Sequence, residues 1–402
     1  MAQIAAEVSA IQGAQALGTF RPERMPQIDI PAKPFRVTKL TCAVSPDCSY
    51  RLLSEVLNSA RRTLLIYVYE IAADYLIELV SKAHGRGVQV KMMYDHGGTH
   101  AADREVLEAL PISLKPAPSF GGRGVFTVCH QKFVVADGKT VVVESANWAK
   151  TSIPLIEEGD PYKKGNREWL VQIDDSDVAD FFTGLFDADW NIPDLGEAQG
   201  LVAAPIEQPG LLVPAELAAM PKKTFDLFPY SQPVDLTPVI SPVNYFDAIA
   251  ALLDTAKTSI DLQQQYIIAG DKVDDLLEIV AKKRDKGCTI RIIVSPTFPK
   301  AWNSTVDTLD AVGLKDCLKA LNLRYFTHCH NKGVIVDRNS VVVSSTNWSA
   351  NSVTKAREAG LIIGSSDVAE YYAKVFDEDW SEGIDAADVK KRLVDIGTGE
   401  II

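Results

Sequence analysis

The sequence predicts an α/β protein made of two tandem copies of one domain, each a mixed β-sheet flanked by helices. Amphipathic helices alternate with β-rich strands, which favours layered α/β architecture. The same order of segments also recurs about 200 residues later in the chain, and such a repeat determines how many units are expected. The 402 residues, 47% hydrophobic and 23% charged, are enough for two domains that each bury a core.

Three pairs of segments carry the repeat. They are 48–71 with 243–267, 74–95 with 274–295, and 175–190 with 365–380. In the first pair an amphipathic helix precedes a strand. In the second, a helix closed by Gly87 or Gly287 precedes a strand. The third pair predicts a closing helix, with Asp177 and Asp367 as N-caps.

These matches predict the domain organisation. The expected parts are an N-terminal extension at 1–35, a first domain at 36–190, a proline-rich linker at 191–235, a second domain at 236–384 and a C-terminal helix or tail at 385–402. No apolar stretch approaches the roughly 20 residues that a membrane-spanning helix needs, and the N-terminus does not resemble a signal peptide. We therefore expect a cytoplasmic protein that works as a monomer, because the repeat makes it an internal pseudo-dimer.

Each copy contains a predicted β-hairpin with a histidine and a lysine two positions apart. Residues 127–150 read TVCHQKFVVADGKTVVVESANWAK, and residues 327–350 read THCHNKGVIVDRNSVVVSSTNWSA. Short polar turns join the strands of each hairpin. The matched residues are His130 and His330, Lys132 and Lys332, Asp137 and Asp337, Asn147 and Asn347, and Trp148 and Trp348.

This double pattern resembles the phospholipase D superfamily, whose hallmark is HxKxxxxD followed by GSxN. The resemblance covers residues 36–190 and 236–380. One departure is that Glu144 and Ser344 replace the glycine of GSxN. We expect Glu144 to point outward, because alternate residues of a strand face opposite sides. The resemblance implies that Glu168 and Glu358, which follow each motif at matching positions, hold the histidine Nδ1–H.

The residue types fit attack on a phosphate diester. Alternation along a strand places each histidine and lysine on one face, and a pseudo-twofold axis would bring both sets around one space. Lysines and amides would neutralise the phosphoryl oxygens. One imidazole would attack phosphorus and the other would protonate the leaving oxygen. We expect His130 to be the nucleophile, since the first half is the more usual choice in the superfamily. Asp137 and Asp337 are expected to grip the lysine or loop backbone.

No metal or other cofactor is expected. The cluster His328-Cys329-His330 superficially resembles a metal site, but Val128 stands at the matching position of the first copy, and no other ligand spacing supports zinc. We predict that four further residues contact the substrate: Tyr69, Gln265, Arg123 and Trp302.

Nucleic acid, preferably a single strand, is the first predicted substrate, because Asn166-Arg167-Glu168 resembles nuclease-type members and no basic amphipathic helix is evident. A phospholipase D or phosphatidyltransferase acting on lipid headgroups is the alternative, and a net charge of −12 favours it. A decayed binding protein is less favoured, because both residue sets are intact. A ten-residue insertion within 151–169 is expected to wall one side of the site, with Lys163, Lys164 and Arg167 steering phosphate inward.

Overall fold

The computed structural model describes residues 18–196 and 223–389. Its first nine strands are β1 Phe35–Val37, β2 Leu40–Ser45, β3 Thr63–Val68, β4 Gln89–Tyr94, β5 Ser113–Pro116, β6 Phe133–Ala136, β7 Thr140–Glu144, β8 Asn166–Asp174 and β9 Phe228–Tyr230. The remaining strands are β10 Val234–Ser241, β11 Ser259–Gln264, β12 Thr289–Val294, β13 Leu318–Ala320, β14 His328–Cys329, β15 Lys332–Val336, β16 Ser340–Ser344, β17 Glu358–Gly364 and β18 Ile384–Asp385.

Nine α-helices accompany the strands within the described residues. They are α1 Ser49–Ser59, α2 Asp74–Gly85, α3 Ala101–Glu108, α4 Ser176–Trp190, α5 Tyr245–Asp254, α6 Asp271–Asp285, α7 Pro299–Ala311, α8 Ala350–Thr354 and α9 Ser366–Ser381. Short 3-10 turns lie at Pro22–Arg24, Gly121–Arg123 and Lys315–Cys317. No helix in the described ranges is both long and apolar enough to cross a bilayer.

Two mixed sheets form the framework. One has the strand order β5-β4-β3-β6-β7-β8-β2-β9, and the other has the order β1-β10-β17-β16-β15-β11-β12-β13-β18. In each, two parallel pairings on one side continue into antiparallel strands that include the predicted hairpin, β6–β7 or β15–β16. The predicted class, two tandem α/β units with mixed sheets, is confirmed.

The two sheets exchange their edge strands. Strand β1, at the start of the first predicted domain, pairs with β10 of the second sheet, whereas β9, from the predicted linker, pairs with β2 of the first. A cut at 36 or 235 therefore does not separate the two sheets. The linker residues 197–222 and the tail beyond 389 lie outside the described residues.

The closing helices are capped two residues earlier than predicted. The Asp175 side chain accepts hydrogen bonds from the backbone N–H groups of residues 177 and 178 at the start of α4, and Ser365 caps α9. The predicted caps, Asp177 and Asp367, instead lie in the first helical turn, where a carboxylate favours the helix dipole. The predicted closing glycines are correct, because Gly87 and Gly287 have φ of 89° and 93°.

Candidate active site

The two halves meet where their histidine segments cross. Strand β14 pairs in parallel with the start of β8, matching His328 to Asn166 and Cys329 to Arg167. The counterpart is a bridge between Cys129 and Arg357. Each histidine is thus held against the other half of the chain. Ring centroids of His130 and His330 are 6.2 Å apart, and the residues are only 8% and 7% exposed.

Each catalytic candidate histidine is oriented by the glutamate of the opposite half. His130 Nδ1 lies 2.9 Å from Glu358 Oε2 and 3.1 Å from the Ser345 carbonyl oxygen. His330 Nδ1 lies 2.7 Å from Glu168 Oε1. A carboxylate at Nδ1 fixes the tautomer and leaves Nε2 to face the substrate. Neither half alone contains a complete histidine–glutamate pair.

Serines of the S-x-N segments hold these glutamates in turn. Ser145 Oγ donates to Glu168 Oε2, and Ser345 Oγ donates to Glu358 Oε2, both at 2.6 Å. The sequence did not lead us to predict a role for these serines. Their role could have been inferred, because both occupy the serine position of the GSxN pattern in their copy of the repeat.

The two lysines are fully buried beside the histidines. Lys132 Nζ donates to the His130 carbonyl at 2.5 Å, and Lys332 Nζ donates to the His330 carbonyl. Burial, together with the charge of Lys332, lowers the pKa of Lys132 well below its usual range. Burial lowers the pKa of Lys332 to about 8, although Glu168 and Glu358 oppose the shift. Two ammonium groups this close can neutralise the oxygens of one phosphoryl group.

The two histidine–glutamate pairs differ electrostatically. Burial and the lysines lower the pKa of His130 well below the usual value, whereas burial lowers that of His330 to about 4 against the pull of Glu168. Burial raises the pKa of Glu358 to about 7. Burial would also raise the pKa of Glu168, but His330 and Lys332 outweigh it and lower that pKa. Consequently His330 has the more firmly ionised partner.

Asn147 and Asn347 follow the second strands of the two hairpins, β7 and β16, and are buried, with exposures of 8% and 3%. Asn147 Nδ2 donates to Glu70 Oε2 at 2.8 Å. Both amide oxygens, Oδ1, are buried without a hydrogen-bond partner among the described residues. Glu70 was missed by the sequence analysis, since its counterpart by position is Tyr266 and no repeat signals it.

Asp137 and Asp337 lie at the far ends of their hairpins and do not contact the lysines. Asp137 accepts hydrogen bonds from the backbone N–H groups of residues 61, 62 and 63, and Asp337 from those of 257, 258 and 259. These bonds lower the pKa of both carboxyls, although burial acts against them. Of the two predicted alternatives, the structure shows the grip on the loop backbone.

The four residues predicted to contact the substrate lie in different surroundings. Tyr69 packs edge-on against His130 with centroids 4.6 Å apart, and its ring lies 5.0 Å from Lys132 Nζ. Gln265 follows β11 at the matching, partly buried position. Arg123 is instead buried, and its guanidinium donates to carbonyls at the end of α4 and beyond, including that of Asp189 at 2.7 Å. Trp302, 4% exposed, packs in the core of the second half.

Two further expectations are corrected. Arg167 does not steer phosphate, because its fully buried guanidinium pairs with Asp379 at 2.8 Å. Its counterpart Arg357 pairs with Asp189 at 2.8 Å in the same way. Glu144 does not point outward: it is fully buried and accepts a hydrogen bond from the Trp148 indole.

The insertion packs against the second half of the chain. Tyr162 Oη donates to the Tyr325 carbonyl, and the Gly165 carbonyl accepts from the Thr327 N–H at 2.8 Å. Because Thr327 precedes β14, the insertion lies on the His330 side of the site. Within the described residues no group of three or more His, Cys, Asp or Glu could hold a metal ion.

The chain is similar to known proteins of one family. The family model "Cardiolipin synthase, PLD-like domain" matches residues 53–190 and 249–380. A mitochondrial cardiolipin hydrolase of Chlamydomonas reinhardtii is 24% identical over 140 residues, which is 34% of this chain and 56% of that protein. A phospholipase D of Rickettsia bellii (strain RML369-C) is 22% identical over 149 residues, 35% of this chain and 64% of that protein.

Each match therefore spans less than two thirds of the relative's own length. Among solved structures, phosphatidylserine synthase of Haemophilus influenzae Rd KW20 superimposes with a TM-score of 0.57 and 14% identity, over 88% of this chain and 92% of that one. At this identity the likeness concerns the fold. Since the family model covers more than half of the chain, in two copies, this protein belongs to the phospholipase D superfamily.

Proposed function

We propose that this protein is a phosphodiesterase that works without a metal and through a phosphohistidine. The supporting observation is the reciprocal pairing of each histidine with the glutamate of the other half, which brings two oriented imidazoles to one site. One chain supplies the whole site, which supports the monomer as the working form.

His130 acts as the nucleophile and His330 as the acid. The pKa of His330 is lowered to about 4 in the empty site, and the negative charge of a bound diester raises it and favours the protonated ring. The neutral Nε2 of His130 attacks phosphorus, the phosphorus–oxygen bond to the leaving group breaks, and that oxygen takes a proton from His330. Water then attacks the phosphohistidine, the phosphorus–nitrogen bond to His130 breaks, and the water gives its proton to His330. The ionised Glu168 favours this assignment, because it stabilises a positive charge on His330 better than the more readily protonated Glu358 does for His130.

A single nucleic acid strand is the first substrate class. The histidines are only 8% and 7% exposed, which favours a slender strand over a rigid duplex. Phe120, 47% exposed, stacks on His96 with centroids 3.6 Å apart. It adjoins Ser119, which shares the Asp95 carboxylate with the N–H of Cys129. This aromatic pair beside the site is suited to stacking on a base.

A phospholipid headgroup is the second substrate class. Exposed apolar side chains, Val106 and Leu155, lie in the same half of the chain and would suit contact with a lipid surface. The names of the curated relatives, a cardiolipin hydrolase and a phospholipase D, also favour it.

One turnover screen tests both the chemistry and the substrate. Purified protein with excess EDTA is offered single-stranded DNA, RNA, duplex DNA, cardiolipin vesicles and phosphatidylcholine vesicles. We expect turnover of a single strand and none after His130→Ala. Lipid turnover alone would replace the first substrate class by the second. A requirement for added magnesium or zinc would contradict the mechanism, since metal ions would then perform the work of the histidines.

A further inference from the structure

A third histidine borders the site in the second half only. His328 is 7% exposed, and its ring centroid lies 5.9 Å from that of His330. Its other ring contact is Phe298, at 5.3 Å. No ring contact joins it to His130 in the described residues, so it lies on the His330 side. The first half has Val128 at this position.

Two hydroxyl groups hold the Nδ1 atom of His328. Ser295 Oγ lies 2.5 Å from Nδ1, and Thr297 Oγ1 lies 3.0 Å from it. Ser295 Oγ already accepts the N–H groups of residues 329 and 297, at 3.3 and 3.4 Å. A hydroxyl oxygen has two lone pairs, so both are used, and its own proton is left to donate either to Nδ1 or to Thr297 Oγ1, which lies 2.8 Å away. We assign this proton to the shorter contact, the one with Nδ1, which makes Nδ1 the acceptor and places the ring proton on Nε2.

The Nε2 atom of His328 is buried and makes no hydrogen bond to any described residue. Leaving a buried donor unpaired costs about 1–3 kcal/mol, and burial with the neighbouring charges of His330 and Lys332 lowers the pKa of His328 well below its usual value. The group is thus a neutral, fixed donor that a bound oxygen can satisfy.

Two neighbouring positions differ together between the halves of the chain, that of His328 and that of its partner Ser295. In the first half Asp95 stands at the position of Ser295, and it accepts the Cys129 N–H just as Ser295 accepts that of Cys329. A carboxylate beside His328 would favour the charged imidazolium. Because the second half has Ser295 and His328 where the first half has Asp95 and Val128, a neutral donor is present only beside His330.

We propose that His328 determines specificity by donating from Nε2 to an oxygen of the leaving group. The inference builds on the proposed function, in which His330 protonates the leaving group, so that group must lie on the His330 side. Leaving groups that carry an acceptor oxygen near the ester, such as a nucleoside or a glycerol unit, are favoured. A choline, which has no such oxygen, gains nothing.

Two substitutions separate the donor from the shape of the ring. His328→Gln keeps an N–H near the position of Nε2, whereas His328→Asn reaches only the position of Nδ1. We expect kcat/KM on an oligonucleotide or glycerol-based diester to fall about tenfold in the Asn variant, the effect of one hydrogen bond, and to be largely restored in the Gln variant. Val128→Ala in the first half is the matched control and should retain full activity.

Bis(p-nitrophenyl) phosphate tests whether the loss of activity comes from the missing hydrogen bond, because its leaving group has no oxygen acceptor near the ester. All variants should hydrolyse it like the wild type. Equal losses on both substrates, or no rescue by Gln, would overturn the inference while leaving the phosphodiesterase function intact. Failure of the wild type on every diester would instead refute the proposed function.

A binding measurement keeps the inference testable without turnover. By calorimetry, the Asn variant should bind sn-glycerol 3-phosphate about tenfold more weakly than the wild type, with inorganic phosphate affinity unchanged. A parallel loss for both ligands, or no loss for either, would overturn it.

Discussion

Replacing Glu168 by glutamine should impair the acid step selectively. The change removes the charge 2.7 Å from His330 Nδ1 while keeping the size of the side chain. Opposite charges about 4 Å apart attract by about 4 kcal/mol at an effective dielectric constant of about 20. That energy corresponds to about three pKa units, so protonated His330 becomes about a thousandfold rarer. Loss of general acid catalysis typically costs about 10²–10⁴ in rate, which agrees with this size.

The leaving group reveals which step is affected. For a diester with a poor leaving alcohol, kcat/KM of Glu168→Gln should fall about 10³-fold, since the alkoxide needs the proton of His330. For bis(p-nitrophenyl) phosphate the fall in kcat/KM should be far smaller, because p-nitrophenolate leaves without protonation and kcat/KM does not include the later attack of water. Steady-state kinetics over this pair of substrates gives both values.

Glu358→Gln is the matched control in the opposite half. It disturbs the orientation of His130, the nucleophile, which acts on every substrate, so its losses should be similar for both leaving groups. If instead Glu358→Gln showed the leaving-group dependence and Glu168→Gln did not, the roles of the histidines would be reversed. Equal, leaving-group-independent losses in both variants would refute the reasoning.

Three further outcomes are expected. Burial raises the pKa of Glu144 from 4.5 to about 8, so the folded protein keeps a proton that the unfolded chain releases, and stability declines as pH rises between these values. Urea unfolding at pH 5 and pH 8 should show Glu144→Gln gaining relative to wild type only at the higher pH, and an equal difference at both would contradict this. Asp379→Asn should lower the unfolding free energy by about 3–5 kcal/mol, because it removes the closer of the two carboxylates that compensate the buried Arg167 charge and leaves only Asp47, at 3.5 Å. The matched control is Asp226→Asn, because Asp226 pairs with Arg51 and its side chain is 77% exposed. This change should lower the unfolding free energy by at most about 1 kcal/mol, and similar losses in the two variants would contradict the larger contribution of the buried pair. Shortening the insertion at 155–164 should change substrate ranking more than the melting temperature, and an unchanged ranking would refute its role as a rim.

The repeat made the fold and the central residues predictable. Matched segments located the helices, the hairpins and the two histidine–lysine sets, because periodicity and turn residues are local properties of the chain. The glutamates were found through the family resemblance. The exchange of β1 and β9 between sheets was not predictable, since short edge strands have no local pattern that names their partner.

Charged residues were the least predictable. In the sequence, Arg123 and Arg167 cannot be distinguished from exposed arginines that bind phosphate. Both are buried, and what satisfies Arg167 is Asp379, more than 200 positions away. Such a pairing depends on how the halves dock, which sequence spacing alone does not show. The prediction for Glu144 was wrong for a similar reason. Strand alternation indicates which face of the sheet Glu144 is on, but it does not show that Trp148 covers that face.

Docking across the halves also explains how two equal motifs could take unequal roles. A duplicated histidine begins with the same chemistry, and only its neighbours can make one ring a nucleophile and the other an acid. The differences between the halves lie at those neighbours. Tyr69 packs against His130, whereas the insertion and His328 border His330. Because each glutamate serves the opposite histidine, a change in one half adjusts the ring of the other, so neither role can be assigned from one copy of the motif alone.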